Sequence, residues 1–229
     1  MPRFLRLAVL ASGRGSNLQA LIDAIAAGEL AAEIVGVYSD KADAGALQRA
    51  RDAGIPAYAI TPKQFATRAE FDAALFTRID AATPDLIVCA GYMRLITGHV
   101  VEARRGRIIN IHPSLLPAFK GLHTHAQALA AGVPEHGASV HFVTADLDGG
   151  PVIAQARVPV LPGDNMETLS ARVLAEEHPL LVETVRWLAA GRIVLSETGS
   201  SDTGPAEAPI HVDGAPQPPL QLGANRRFA

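Results

Sequence analysis

One cysteine, Cys89, stands in 229 residues. That excludes an internal disulfide framework and any multi-cysteine metal site, and it fits a reducing compartment. Aromatic residues make up only 5% of the chain, so a core has to be built from aliphatic side chains and alanine. No stretch approaches the roughly 20 consecutive apolar residues of a membrane span. A net charge of −3 leaves no global basic field to hold nucleic acid. What is present is a chain 48% hydrophobic and 19% charged, which argues for a folded chain of one domain or slightly more. The apolar run ending at Ala11 is short for a signal peptide and passes at once into a glycine loop with Arg14. It reads as a first strand, and the chain is expected to be cytoplasmic.

Strand and helix patterns alternate through the first half. Leu5–Ala11, Ile34–Tyr38, Pro56–Ile60 and Leu86–Ala90 read as strands; Leu18–Ala27, Ala44–Ala53 and Arg68–Ala82 carry helical spacing. This alternation predicts an α/β fold: a mostly parallel twisted sheet with helices on both faces and a Rossmann-like N-terminal half. Further on, Arg107–His112, Ser139–Val143 and Val152–Val160 read as strands and Ala126–Ala131 as a short helix. Glu167–Ala190 is the longest helix, with Pro179 predicting a kink or a break in it. The expected boundaries are a domain over 1–196, with halves at about 1–105 and 106–196, and a proline-rich extension over 197–229. Five prolines (Pro205, Pro209, Pro216, Pro218 and Pro219) fall in that tail, where apolar periodicity disappears, and it reads as wrapped on the surface or partly mobile.

Four patterns carry possible chemistry. The loop Ser12-Gly13-Arg14-Gly15-Ser16-Asn17 sits between a strand and a helix, where unpaired N–H groups and the helix dipole favour an anion. Leu18 replaces a third glycine and no Walker lysine follows, so the loop suggests a single phosphate or else an ordinary turn capped by Ser or Asn. In Asn110-Ile111-His112 the outer two side chains share one face of a strand, a ready oxyanion site or else a buried amide beside a structural histidine. The turn Asp146-Leu147-Asp148-Gly149-Gly150 offers either an ordinary Asx-turn or a carboxylate that, beside His112, would raise its pKa and fix its tautomer. Six of eight histidines lie between His99 and His141, including the His123/His125 pair. With no neighbouring cysteines and no His-Glu-x-x-His helix, no metal is expected. Ser114 lacks a nucleophile-elbow context, and Cys89 follows three apolar residues and reads as buried and inert.

The combination Asn110-Ile111-His112-Pro113-Ser114-Leu115-Leu116-Pro117, Gly121-Leu122-His123-Thr124-His125, Ser139-Val140-His141-Phe142-Val143-Thr144 and Asp148-Gly149-Gly150-Pro151 resembles the phosphoribosylglycinamide formyltransferase family. The resemblance runs from about Leu7 to Leu195. It implies the formyltransferase fold and transfer of a formyl group from 10-formyltetrahydrofolate, a co-substrate, to the amine of glycinamide ribonucleotide in purine synthesis. At matching positions it implies Asn110, a protonated His112 and Asp148 as the catalytic group. Gly15, Ser16, Asn17 and Arg68 would hold the substrate phosphate, and Glu177 the ribose. Met93, Arg94, Leu95 and Ile96 would line the pterin pocket, with Asn110 and the loop Thr144, Ala145, Asp146, Leu147 and Asp148 completing it. Partners are then the two small molecules, with no nucleic acid and no membrane, in a monomer or homodimer. Arg14 stands where the family often has Asn, and Leu174 near where a polar residue often assists. The alternatives are a formyltetrahydrofolate hydrolase or tRNA-directed formyltransferase on the same fold, which would be expected to carry an extra N-terminal or a basic C-terminal domain, and a non-catalytic nucleotide-binding module.

Overall fold

Runs of buried aliphatic residues with no polar alternation, such as Leu7–Leu10, mark strands covered on both faces. In the computed structural model, which describes residues 3–196 and 210–228, they fall in the first of two compact units, 1–110 and 111–229. The first unit contains β1 (Leu5–Leu10), α1 (Ser16–Ala26), β2 (Ala32–Ser39), α2 (Gly45–Asp52), β3 (Ala57–Ala59), α3 (Arg68–Asp80), β4 (Leu86–Cys89), α4 (Gly98–Glu102) and the start of β5 (Ile108–His112). All four pairings are parallel, in the order β3-β2-β1-β4-β5. The expected alternation is therefore the observed one. The five-residue α4 was not expected; it is too short to show a helical period.

Because β1 and β4 are adjacent and parallel, the segments that follow them, Ser12–Gly15 and Gly91–Thr97, leave the same carboxyl edge of the sheet, where ligands of open α/β sheets bind. Helix α3 begins at a capping box in which Thr67 and Glu70 satisfy one another's backbone N–H groups.

The second unit contains α5 (Thr124–Ala131), β6 (Glu135–Phe142), β7 (Val152–Pro159), α6 (Met166–Ala189), β8 (Ile193–Leu195), β9 (Ile210–Val212), β10 (Ala215–Pro216) and β11 (Leu220–Gln221). Strands β6 and β7 are antiparallel, with a register shift between Val140 and His141. Strand β6 starts four residues before the expected Ser139. Gly137 permits this, since a Cβ there would overlap the Ala156 carbonyl across the ladder. Helix α6 runs unbroken through Pro179, so the predicted break is absent, and Leu169, Val173, Leu181 and Val185 form its buried stripe.

In the tail, residues 197–209, with Pro205 and Pro209, lie outside the described residues. Beyond them β9 pairs with β8 and with β10, and β11 adds to the edge of β7. Strands of two or three residues are too short to show alternation, which is why the tail looks patternless in sequence. Its last part docks on α6: the Phe228 N–H and the Arg227 guanidinium both reach the buried Glu183 carboxylate, which also accepts from Trp187 Nε1 at 3.1 Å. Among the described residues no helix is long and apolar enough to cross a membrane.

Candidate active site

In the first unit the glycine loop is shaped by close packing on α2. Gly15 is the N-cap of α1 in the left-handed region, φ 77°, and no side chain caps the helix, so the Ser or Asn cap that the sequence offered is not made. A Cβ on Gly15 would lie 2.7 Å from Ala46 Cα. The Ala46 N–H donates to the Gly13 carbonyl at 3.0 Å, and Arg49 Nε donates to the Arg14 carbonyl at 2.8 Å. The loop carbonyls are thus tied back to α2, while the N-terminus of α1 keeps the partial positive charge of its uncapped amides. Ser16 is half-buried and Asn17 buried. Arg68 is exposed at the first position of α3, where a cation opposes the helix dipole and contributes nothing to helix stability.

After β4, Met93 and Leu95 are 62% and 51% exposed, with Arg94 and Ile96 half-buried between and after them. Asn110 is half-buried on β5 and paired in register with Cys89. Cys89 itself is fully buried and its thiol is pushed up to about 12 by that burial, which leaves it inert as expected.

In the second unit His112 ends β5 at 5% exposure. Its Nε2 lies 3.0 Å from the Phe119 carbonyl, which only accepts, so the proton of the neutral ring sits on Nε2. Nδ1 is then bare, and it faces Asp148 Oδ2 at 3.5 Å. Asp148 Oδ2 also accepts the Gly121 N–H at 2.9 Å, and Oδ1 lies 3.6 Å from His141 Nε2. His141 Nδ1 in turn lies 2.9 Å from the Phe142 carbonyl. The expected proximity of Asp148 to His112 is therefore real, and burial works against the expected charge on His112. Burial lowers the His112 pKa below its ordinary 6.5, and this outweighs the raising effects of the Phe119 carbonyl and the Asp148 carboxylate. At neutral pH that direction favours the neutral ring. Burial pushes Asp148 the opposite way, upward, but the His141 and Gly121 contacts, and the charge His112 carries when protonated, overcome it and hold the carboxyl below its usual range.

Backbone geometry locks this turn. Asp148 adopts φ 45°, a left-handed conformation that Asp tolerates better than most residues. A Cβ on Gly150 would overlap the Phe142 carbonyl, so the close approach needs glycine there. The Phe119 carbonyl is placed by a loop stapled from within: Ser139 Oγ donates to the Ser114 carbonyl at 2.7 Å, Ser114 Oγ to the Ala118 carbonyl at 2.7 Å, and Gln155 Nε2 to the Leu116 carbonyl at 2.9 Å. Ser114 is committed to this loop and is no nucleophile. Of the other predicted residues, Ala145, Asp146 and Leu147 are exposed, Thr144 is half-buried and Glu177 is buried on α6. His125 Nδ1 lies 3.2 Å from Nε2 of the fully buried His136. Among the described residues no three His, Cys, Asp or Glu side chains converge as metal ligands. Sequence reasoning assigned no role to His141. Its place in the Ser139–Thr144 segment that carries the resemblance was the available signal.

A family model described as formyl transferase matches residues 5–185. The chain is 47% identical over 196 residues to the phosphoribosylglycinamide formyltransferase of Escherichia coli (strain K12), covering 86% of this chain and 92% of that protein. It superposes on the phosphoribosylglycinamide formyltransferase of Coxiella burnetii with a TM-score of 0.86, at 47% identity over 93% of this chain and 95% of that one. A formyltetrahydrofolate deformylase from Pseudomonas syringae superposes with a TM-score of 0.79 at 26% identity, over 91% of this chain and 66% of that one. The chain belongs to the formyl transferase family.

Proposed function

We propose that the protein transfers the formyl group of 10-formyltetrahydrofolate to the amine of glycinamide ribonucleotide, a step of purine biosynthesis. The observation that carries this reading is the placement of His112 between the Phe119 carbonyl at Nε2 and the Asp148 carboxylate at Nδ1, together with the inertness of Cys89 and Ser114. Such a site moves protons without a covalent acyl intermediate, which suits an activated acyl donor and a substrate that brings its own amine.

The amine lone pair attacks the formyl carbon, the carbonyl electrons move to oxygen, and the attacking nitrogen becomes cationic. The Asn110 amide donates to the new oxyanion. His112 Nδ1 takes the proton from the cationic nitrogen, and the resulting imidazolium is stabilised by Asp148. The oxyanion collapses, the bond from carbon to the folate nitrogen breaks, and the proton passes from His112 to that leaving nitrogen. His141 and the Gly121 N–H keep Asp148 ionised throughout. On the binding side, Gly15, Ser16, Asn17 and Arg68 would hold the phosphate and Glu177 the ribose. Met93, Arg94, Leu95, Ile96, Asn110 and the Thr144–Asp148 loop would receive the pterin. The absorbance change on deformylation of 10-formyl-5,8-dideazafolate tests the reading. Turnover that requires glycinamide ribonucleotide supports it, and equal turnover without that substrate would identify a hydrolase instead.

A further inference from the structure

The segment after β4 is anchored at both ends by buried side chains. At its start the Met93 N–H donates to Ser12 Oγ at 2.9 Å, and the Ser12 N–H donates to the Gly91 carbonyl at 3.0 Å. At its end the Thr97 N–H donates to Asp72 Oδ2 at 2.8 Å. Between these points the Arg94 guanidinium lies over the Phe71 ring, 5.0 Å from its centroid. Phe71 and Asp72 are consecutive residues of α3, and Asp72 is fully buried.

An aspartate is a poor choice for that position on packing grounds. Asp ranks low in helix interiors, and a buried carboxylate costs desolvation free energy that an apolar residue would not. The cost is only partly offset, because Asp72 Oδ1 has no hydrogen-bond partner. What Asp72 and Ser12 hold contributes little to the core in return: Met93 and Leu95, between the two anchors, turn their apolar side chains to solvent. Buried polar groups that fix an exposed apolar loop serve the shape of that loop.

We propose that Asp72 is a positioning residue that fixes the backbone of Met93–Ile96 as the wall met by the formyl donor's pterin. The inference rests on the reading of that segment as folate-lining. Ser12 is the second anchor, and since it opens the glycine loop, the wall and the phosphate loop share one support. Asp72 acts on the donor through the Thr97 N–H and through the path of the chain, with no contact of its own to either substrate.

The test uses the full chain, with initial rates against both substrates and calorimetric binding of 10-formyl-5,8-dideazafolate. Asp72→Ala is expected to raise the KM and Kd for the dideazafolate about tenfold, the scale of one lost buried hydrogen bond, with the KM for glycinamide ribonucleotide within about twofold. Asp72→Asn keeps an oxygen that can accept the Thr97 N–H and is expected to recover most of the loss. Ser12→Ala is expected to shift the same constant by a few-fold. Unchanged dideazafolate binding in Asp72→Ala, a parallel rise in both KM values, or an Asp72→Asn variant as poor as Asp72→Ala overturns the proposal. If Asp72→Ala does not fold, Asp72→Asn with near-native and Ser12→Ala with weakened dideazafolate binding support it, and any other pair of results overturns it. A wild-type protein that fails to bind the dideazafolate refutes the functional reading itself, whereas normal wild-type transfer with unaffected variants refutes only the role of Asp72.

Discussion

Gly15 and Asp148 both occupy left-handed backbone, at φ 77° and φ 45°, and they do so for opposite reasons. At Gly15 a side chain has no place, since α2 lies against the position where a Cβ would be. The loop around it can offer a ligand backbone amides, a helix dipole and short polar side chains. At Asp148 the side chain is the purpose, and a conformation that costs on the order of 1 kcal/mol is tolerated to aim a carboxylate at two imidazoles. The first region is a rigid geometric site without titrating parts. The second is a set of buried ionisable groups whose protonation states depend on one another. Changes in the second should therefore act on rate and on pH dependence, and changes in the first on affinity.

The largest effect is expected at Asp148. Asp148→Asn keeps shape but removes the charge that stabilises the His112 imidazolium, so transfer should slow by at least about 100-fold with both KM values changed far less. The His112 pKa, already below 6.5, should fall further because a raising influence is gone. NMR titration of the ring in both proteins checks this, and near-normal turnover would break the contrast between the regions. In the proposed mechanism neutral His112 is the active form, so the acid limb of the wild-type rate profile should lie below pH 6.5, and a limb above it would contradict that mechanism.

Stability should follow the same division. His136 is fully buried with its pKa pushed down to about 4 by burial and by the neighbouring His125 and His112. Below pH 6.5 the unfolded chain binds a proton there that the folded chain refuses, so stability present above pH 6.5 is lost as pH falls toward 4. The loss from this ring amounts to about 3 kcal/mol. His136→Gln should flatten the decline in thermal unfolding temperature between pH 7 and pH 5, and an equally steep variant would assign the decline elsewhere.

Gly15→Ala is expected to raise the KM for glycinamide ribonucleotide about tenfold while leaving dideazafolate binding within twofold. Equal loss of both ligands would mean that the loop supports the fold and not one substrate. The smallest effect belongs to Arg68→Gln, a few-fold weakening for glycinamide ribonucleotide that shrinks as salt rises, because the guanidinium is exposed and screened. A salt-independent loss would place Arg68 in a closer, desolvated contact.

The two regions also differ in how far they could be read from sequence. The glycine loop is legible because its parts are contiguous and their meaning is conformational. Asn110 and His112 are legible as a pair because a strand repeats every two residues. Asp148 is 36 residues from His112, and nothing in composition or period brings them together; only the resemblance did. The burial that works against a charge on His112 was not legible, because the desolvation of a single ring leaves no pattern in sequence. The Phe119 carbonyl and the Gly121 N–H set the tautomer and the carboxylate, and backbone atoms leave no mark in sequence. Asp72 was hidden beside the apolar stripe of Phe71, Leu75 and Ile79, where a polar residue one step off a helical face looks solvent-facing.

The docking of the tail on α6 has an optical consequence. The chain has a single tryptophan, and Trp187 is that residue. Its indole N–H is bonded to Glu183, the Phe228 ring meets it edge-on at 5.3 Å between centroids, and the Arg192 guanidinium covers it at 3.6 Å. Among the described residues these three contacts come from α6, from Arg192 just before β8 and from the docked tail. Intrinsic fluorescence becomes a one-site reporter: undocking of Phe228 would shift its emission to the red while the glycine loop and the histidine cluster remained dark.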